Sequence, residues 1–249
     1  MLNVGHYDPP KQLLSDRAIL ITGATGTLGT LCSLQFASYG AKLIIQGRSN
    51  KKLNNLYDQI IRRGEEPLAL AIDFTSSREH DFFQIARDIE EQFGQLDGIV
   101  HCAVAAPRLA KLQDNSYQSW LITMAVNYFA PTYITNACMP LLKESKDGSI
   151  IYMSETHAQM ASPFWGQFSS SKAAIESIAK TQAGEFARNS QLRCNIVVPG
   201  PIRTNSQKLN YPGKSEDEFE DPEEAVKTLL YLIGPDSAEI NGKKIIISN

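Results

Sequence analysis

Ala18-Ile19-Leu20-Ile21-Thr22-Gly23-Ala24-Thr25-Gly26-Thr27-Leu28-Gly29 is the stretch from which the rest of the chain is read. Its first four residues are apolar without alternation, the pattern of a short strand buried on both faces. They run straight into glycines spaced Gly23-x-x-Gly26-x-x-Gly29. Glycines between a strand and a helix allow a tight turn and let backbone N–H groups approach a pyrophosphate at the positive helix end. With 16 glycines in the chain the spacing alone is weak, so its placement carries the inference. Gly23, Thr25, Gly26, Thr27, Leu28 and Gly29 are therefore the expected contacts to a dinucleotide.

Outward from this turn, apolar runs alternate with helical patterns. Leu43-Ile44-Ile45, Leu68-Ala69-Leu70-Ala71-Ile72, Gly98-Ile99-Val100, Ser149-Ile150-Ile151-Tyr152-Met153, Asn195-Ile196-Val197-Val198 and Lys244-Ile245-Ile246-Ile247 are further strand runs. Helices are expected over 27–39, 51–63, 78–93, 117–143 (as two), 170–189 and 222–233, the last with Asp221 as N-cap and Pro222 at its first position. Seven strands in repeated β-α-β units imply an α/β fold, a doubly wound, mostly parallel sheet with helices on both faces. Residues 1–16 read as an N-terminal surface arm, 17–249 as one domain, and 202–220 as a loop covering the cleft.

Composition narrows the class. At 249 residues with 43% hydrophobic side chains the chain supports one substantial core, and 24 basic against 27 acidic residues exclude a strongly basic nucleic-acid binder. Four widely separated cysteines argue against a zinc site or a disulfide framework, and the polar N-terminus reads as neither signal nor anchor, so a cytoplasmic protein is expected. The stretch 115–142 has no charged residue, but its asparagines, prolines and threonines mark a buried or interface-forming helix pair rather than a membrane span. Seven of the acids crowd into 216–224, leaving a basic remainder.

The second strand run leads to Gln46-Gly47-Arg48. No acid occurs between Ala41 and Tyr57 to bond a ribose 2′-hydroxyl, whereas Arg48, Lys51 and Lys52 are basic. A guanidinium and a helix N-terminus suit a 2′-phosphate, so NADP(H) is favoured over NAD(H).

Taken together these motifs resemble the short-chain dehydrogenase/reductase family over nearly the whole chain. Asp73, followed by Phe74, resembles the family's adenine-contacting Asp, and Asn127 its water-relay Asn. Cys102 and Ala103 fall where the family carries its Asn-Asn-Ala-Gly segment beside the cofactor, and that segment reads His101-Cys102-Ala103-Val104. Pro199-Gly200-Pro201-Ile202-Arg203-Thr204 resembles the loop that holds the nicotinamide, with Pro199, Gly200, Ile202 and Thr204 as contacts, and Lys172 matches the lysine on the nicotinamide ribose. The resemblance implies a small carbonyl or alcohol substrate and a homodimer or homotetramer built on the 117–143 helices, with no nucleic-acid or membrane partner.

The resemblance fails at the chemistry. The family's proton-donating Tyr stands four residues before the lysine, where this chain has Phe168. Its Ser stands thirteen earlier, where this chain has Glu155, with Ser154 one place off. Phe168 carries no proton, and losing a positioned acid costs about 10²–10⁴-fold. An ionised Glu155 beside a developing oxyanion would repel it by about 4 kcal/mol at ~4 Å and an effective dielectric of ~20. The most common glycine fingerprint would also place a glycine at Thr27, and Val104 stands where a glycine lets the cofactor lie close. The first reading is thus a non-catalytic NADP(H) sensor or scaffold. The alternative is an active NADPH-dependent reductase with Glu155 as a substitute acid raised by desolvation, His157 being a weaker candidate. A nucleotide-independent partner-binding module is the third. Tyr152, Trp120 and Trp165 read as packing residues.

Overall fold

The structure is a computed structural model and describes residues 7–160, 162–187, 191–204, 210–211 and 213–247. Among these, seven strands form one sheet: β1 (Ala18–Thr22), β2 (Lys42–Gly47), β3 (Leu68–Ala71), β4 (Gly98–His101), β5 (Gly148–Met153), β6 (Leu192–Val198) and β7 (Lys244–Ile246). Their order is β3-β2-β1-β4-β5-β6-β7 and every pair is parallel, so the expected mostly parallel sheet is parallel throughout. Because β2 and β4 leave β1 on opposite sides, their connections diverge and open a crevice at the carboxyl ends of these strands.

The helices are α1 (Thr27–Ser38), α2 (Asn50–Ile61), α3 (Glu79–Phe93), α4 (Tyr117–Met124), α5 (Ala130–Glu144), α6 (His157–Met160), α7 (Gly166–Phe186) and α8 (Pro222–Ile233). One apolar cluster packs α1, α2 and α8 against one face of the sheet, and a second packs α3, α5 and α7 against the other. Burial on both faces explains the unbroken apolar strand runs: every residue of β1, β4, β5 and β6 is buried. Asp221 caps α8 by accepting from the Glu223 amide, with Pro222 at its first position.

Three local features depart from expectation. The uncharged segment is continuous: α4 passes into α5 through a π-helical stretch, Ala125–Phe129, that carries Asn127. Helix α7 starts at Gly166 rather than residue 170, because the Trp165 carbonyl already accepts from the Ser169 amide. Its expected end at residue 189 lies outside the described residues. The N-terminal arm is more than a surface extension: Leu13 and Leu14 are buried in the first apolar cluster, and Tyr7 stacks edge-on against Tyr231 and donates to Asp236. Two adjacent leucines at the arm's end have apolar area to bury, and the ends of α1 and α8 offer the place. His6 is outside the described residues. No helix among them is long and apolar enough to cross a membrane.

Candidate functional site

The turn after β1 is held by backbone fit. Gly23 has φ +63°, and a Cβ there would sit 2.6 Å from the Ala103 backbone. A Cβ at Gly29 would sit 2.4 Å from the Gly23 carbonyl oxygen, so α1 packs down on the turn itself. Buried Gln46 completes the clamp: its side chain accepts from the Gly23 amide at 3.0 Å and donates to the Ile72 carbonyl at 2.7 Å. Gly26 is the N-cap of α1, with no capping side chain and no acid in the first turn. The helix therefore presents amide donors and its positive dipole end to the crevice.

Two adjoining cavities of about 660 and 540 Å³ fill the crevice, and Gly23, Thr25, Gly26 and Cys102 belong to both. The first also has Thr27, Leu28 and Gly29 on its wall, opposite Pro199, Ile202 and Thr204. Glu155, Phe168 and Lys172 close its inner end. The second takes in Arg48, Lys52, Phe74 and Ala103. Val104 lines both and is half exposed, and Thr27 is exposed, so neither side chain plugs the turn. Lys51, Asp73, Asn127 and Gly200 are not on either wall. Asp73 is exposed and accepts from the Thr75 amide and hydroxyl, the amide bond holding its carboxyl below the usual range. Gly200, at φ +71°, shapes the loop behind Pro199.

The inner end holds an unusual set of charges. Lys172 is buried and donates from Nζ to the Met153 carbonyl at 2.9 Å, with the Phe168 ring centroid 5.8 Å away. Burial lowers its ammonium to about 8, against the pull of Glu155. Glu155 is only 3% exposed, and burial raises its carboxyl even though Lys172 and the Tyr211 hydroxyl favour the charged form. Desolvation thus outweighs their mutual electrostatic attraction in both groups. Ser154 is committed elsewhere: it donates to Glu176 Oε1 at 2.5 Å, which is also ion-paired with Lys244 at 2.6 Å. Asn127 accepts from the Ala105 amide and donates to the Ala105 carbonyl and Ser171 Oγ.

Sequence reasoning missed Tyr211. Its hydroxyl donates to Glu155 Oε1 at 3.3 Å and lies 2.9 Å from His157 Nε2. His157 Nδ1 is 2.8 Å from Ser162 Oγ, and its ring stacks on Trp165 at 4.0 Å. Trp165 in turn packs 6.0 Å from Phe168. Nothing in the sequence announces this, because Tyr211 lies 43 residues beyond Phe168 in a segment without periodicity. Tyr152 is a core residue, buried and bonded to Gln182 and Thr135.

The model of the short chain dehydrogenase family matches residues 17–214. The chain belongs to that family. The uncharacterised oxidoreductase YciK of Escherichia coli K12 is 30% identical over 238 residues, covering 95% of this chain and 94% of its own. A short chain dehydrogenase from Pseudomonas syringae superposes with a TM-score of 0.92 at 32% identity, covering 96% of this chain and 98% of that one. One from Escherichia coli CFT073, complexed with NADPH, superposes with a TM-score of 0.91 at 30% identity, covering 96% and 99%. Phe168 and Glu155, at the two positions where the sequence reading expects a phenol and a hydroxyl, present an apolar ring and a buried carboxyl to the cavity. The carboxyl can hold and donate a proton, which the ring cannot.

Proposed function

We propose that this chain is an NADP(H)-dependent oxidoreductase that reduces a small carbonyl compound, or oxidises the corresponding alcohol, with Glu155 as its acid. The carrying observation is a buried, proton-favouring carboxyl on the same cavity wall as Lys172. The cofactor fits the residues present. The uncapped start of α1 would take the pyrophosphate, and Arg48 with Lys52 the 2′-phosphate. Lys172 and the loop from Pro199 to Thr204 would hold the nicotinamide end. Similar proteins of known structure are complexed with NADP and NADPH, which supports the same choice here. When bound, the reduced cofactor supplies the hydride. Glu155 donates its proton to the substrate oxygen, and the Lys172 ammonium favours the carboxylate left behind. Phe168 excludes water from the inner wall.

The second reading, a non-catalytic NADP(H) sensor or scaffold, is favoured by Phe168, whose ring has no proton to give. A panel of carbonyl substrates with NADPH separates the two. Wild type is expected to turn over, with Glu155→Gln slower by about 10²-fold or more. Turnover seen only in the Glu155→Ser/Phe168→Tyr double variant would instead establish the sensor or scaffold. Absence of micromolar NADPH binding would leave only the partner-binding module. The loop over 202–220, of which residues 205–209 and 212 lie outside the described residues, is proposed as the lid on this cleft, and the working unit as a homodimer or homotetramer. The four cysteines are free thiols, which suits a reducing compartment such as the cytoplasm.

A further inference from the structure

The geometry points to a proton relay, Ser162–His157–Tyr211, that reloads Glu155 from the outer side of the cleft; it rests on the reading of Glu155 as the acid. A phenol has one proton. Since Tyr211 donates it to Glu155 Oε1, its oxygen must accept from His157 Nε2. His157 then carries its proton on Nε2, and Nδ1 accepts from the Ser162 hydroxyl. All three bonds therefore run in one direction, toward the cleft. Exposure follows the same line: Glu155 is buried at the cavity wall, whereas Tyr211, His157 and Ser162 are half-buried. Trp165, buried and stacked on His157, holds the imidazole in the plane that serves both contacts. Burial also lowers the His157 pKa, which keeps the ring neutral and able to pass a proton.

The step balances. After Glu155 has given its proton to the product oxygen, its carboxylate takes the phenol proton of Tyr211. Tyr211 takes the Nε2 proton of His157, and His157 receives one at Nδ1 from Ser162, whose hydroxyl is reprotonated by water. One proton enters from solvent, and only O–H and N–H bonds form and break. Among the described residues, the charged and titratable groups facing this chain are Lys172 from α7, beside Glu155, and Lys214, whose Nζ lies 5.9 Å from the Tyr211 ring centroid.

The test uses the full chain with two readouts. In cofactor-free protein, the Glu155 carboxyl is titrated by infrared difference spectroscopy, assigned by its loss in Glu155→Gln. Tyr211→Phe keeps the aromatic packing and removes the donor that favours the carboxylate, so the Glu155 midpoint is expected to move up. In turnover, Tyr211→Phe and His157→Ala are each expected to lower kcat by about 10- to 100-fold, within the range for positioned acid–base groups, with KM little changed. Added imidazole is expected to restore His157→Ala but not Tyr211→Phe. Turnover that needs Glu155 yet is unaffected by both variants, or a Glu155 midpoint unmoved by Tyr211→Phe, overturns the relay alone. No turnover by wild type overturns the Glu155 reading and the relay with it.

Discussion

His101 shows how far a single side chain can depart from its ordinary chemistry. It is buried, stacked on Tyr152 at 4.9 Å and bonded through Nε2 to Thr135 Oγ1, and burial lowers its pKa from 6.5 to about 3. Between those values the unfolded chain binds the proton and the folded chain does not. The stability tied to neutral His101 is therefore complete above pH 6.5 and is lost as pH falls toward about 3. At 1.36 kcal/mol per pKa unit the loss is on the order of 5 kcal/mol. Urea midpoints measured from pH 7 to pH 4 should fall less steeply in His101→Asn; an unchanged slope would contradict the assignment. At the cofactor's far end, Arg48→Ala should weaken NADPH binding by roughly 10-fold while leaving NADH nearly unchanged, because only the 2′-phosphate can form the charge-assisted contact. Fluorescence titration with both nucleotides reads this directly.

At the scale of elements, the β1–α1 turn was legible because its signal is local: a strand run, three glycines and a helix within twelve residues. The structure adds why Gly29 cannot change. Its missing Cβ is replaced by the backbone of Gly23 and Ala24, and backbone cannot move aside as a side chain can. Gly29→Ala is expected to destabilise the fold by about 1–3 kcal/mol and to abolish nucleotide binding, visible as a lower thermal midpoint that NADPH no longer raises. The π-helical stretch carrying Asn127 and the early start of α7 were not legible. Both depend on which carbonyl a given amide finds once neighbouring elements are packed, and side-chain periodicity does not record that.

For the whole molecule, the strand order places β1 between β2 and β4, and this reversal puts residues as distant as Thr25, Arg48, Glu155 and Thr204 around one crevice. The protein surface carries exposed apolar side chains along α4, the π-helical stretch and α5: Tyr117, Leu121, Phe129 and Tyr133. Apolar side chains of this kind along one helical segment suit burial against a second copy of the chain. Sedimentation should show a dimer or tetramer for wild type and a smaller species for the Leu121→Asp/Phe129→Asp variant. A wild-type monomer at micromolar concentration would contradict this assembly.

The parallel α/β architecture, the glycine turn, the basic residues at the end of β2 and a phenylalanine four residues before Lys172 are all legible in the chain. Each of these is written in neighbouring residues, as an apolar run, a spacing or a charge. What Glu155 faces depends instead on segments far apart in the chain. Its raised pKa, the electrostatic pull of Lys172 and its bond from Tyr211 arise because burial and long-range contacts bring α7, the end of β5 and Tyr211 around one carboxyl. Burial and proximity across the fold set that chemistry, and neither is a property of any local stretch of chain.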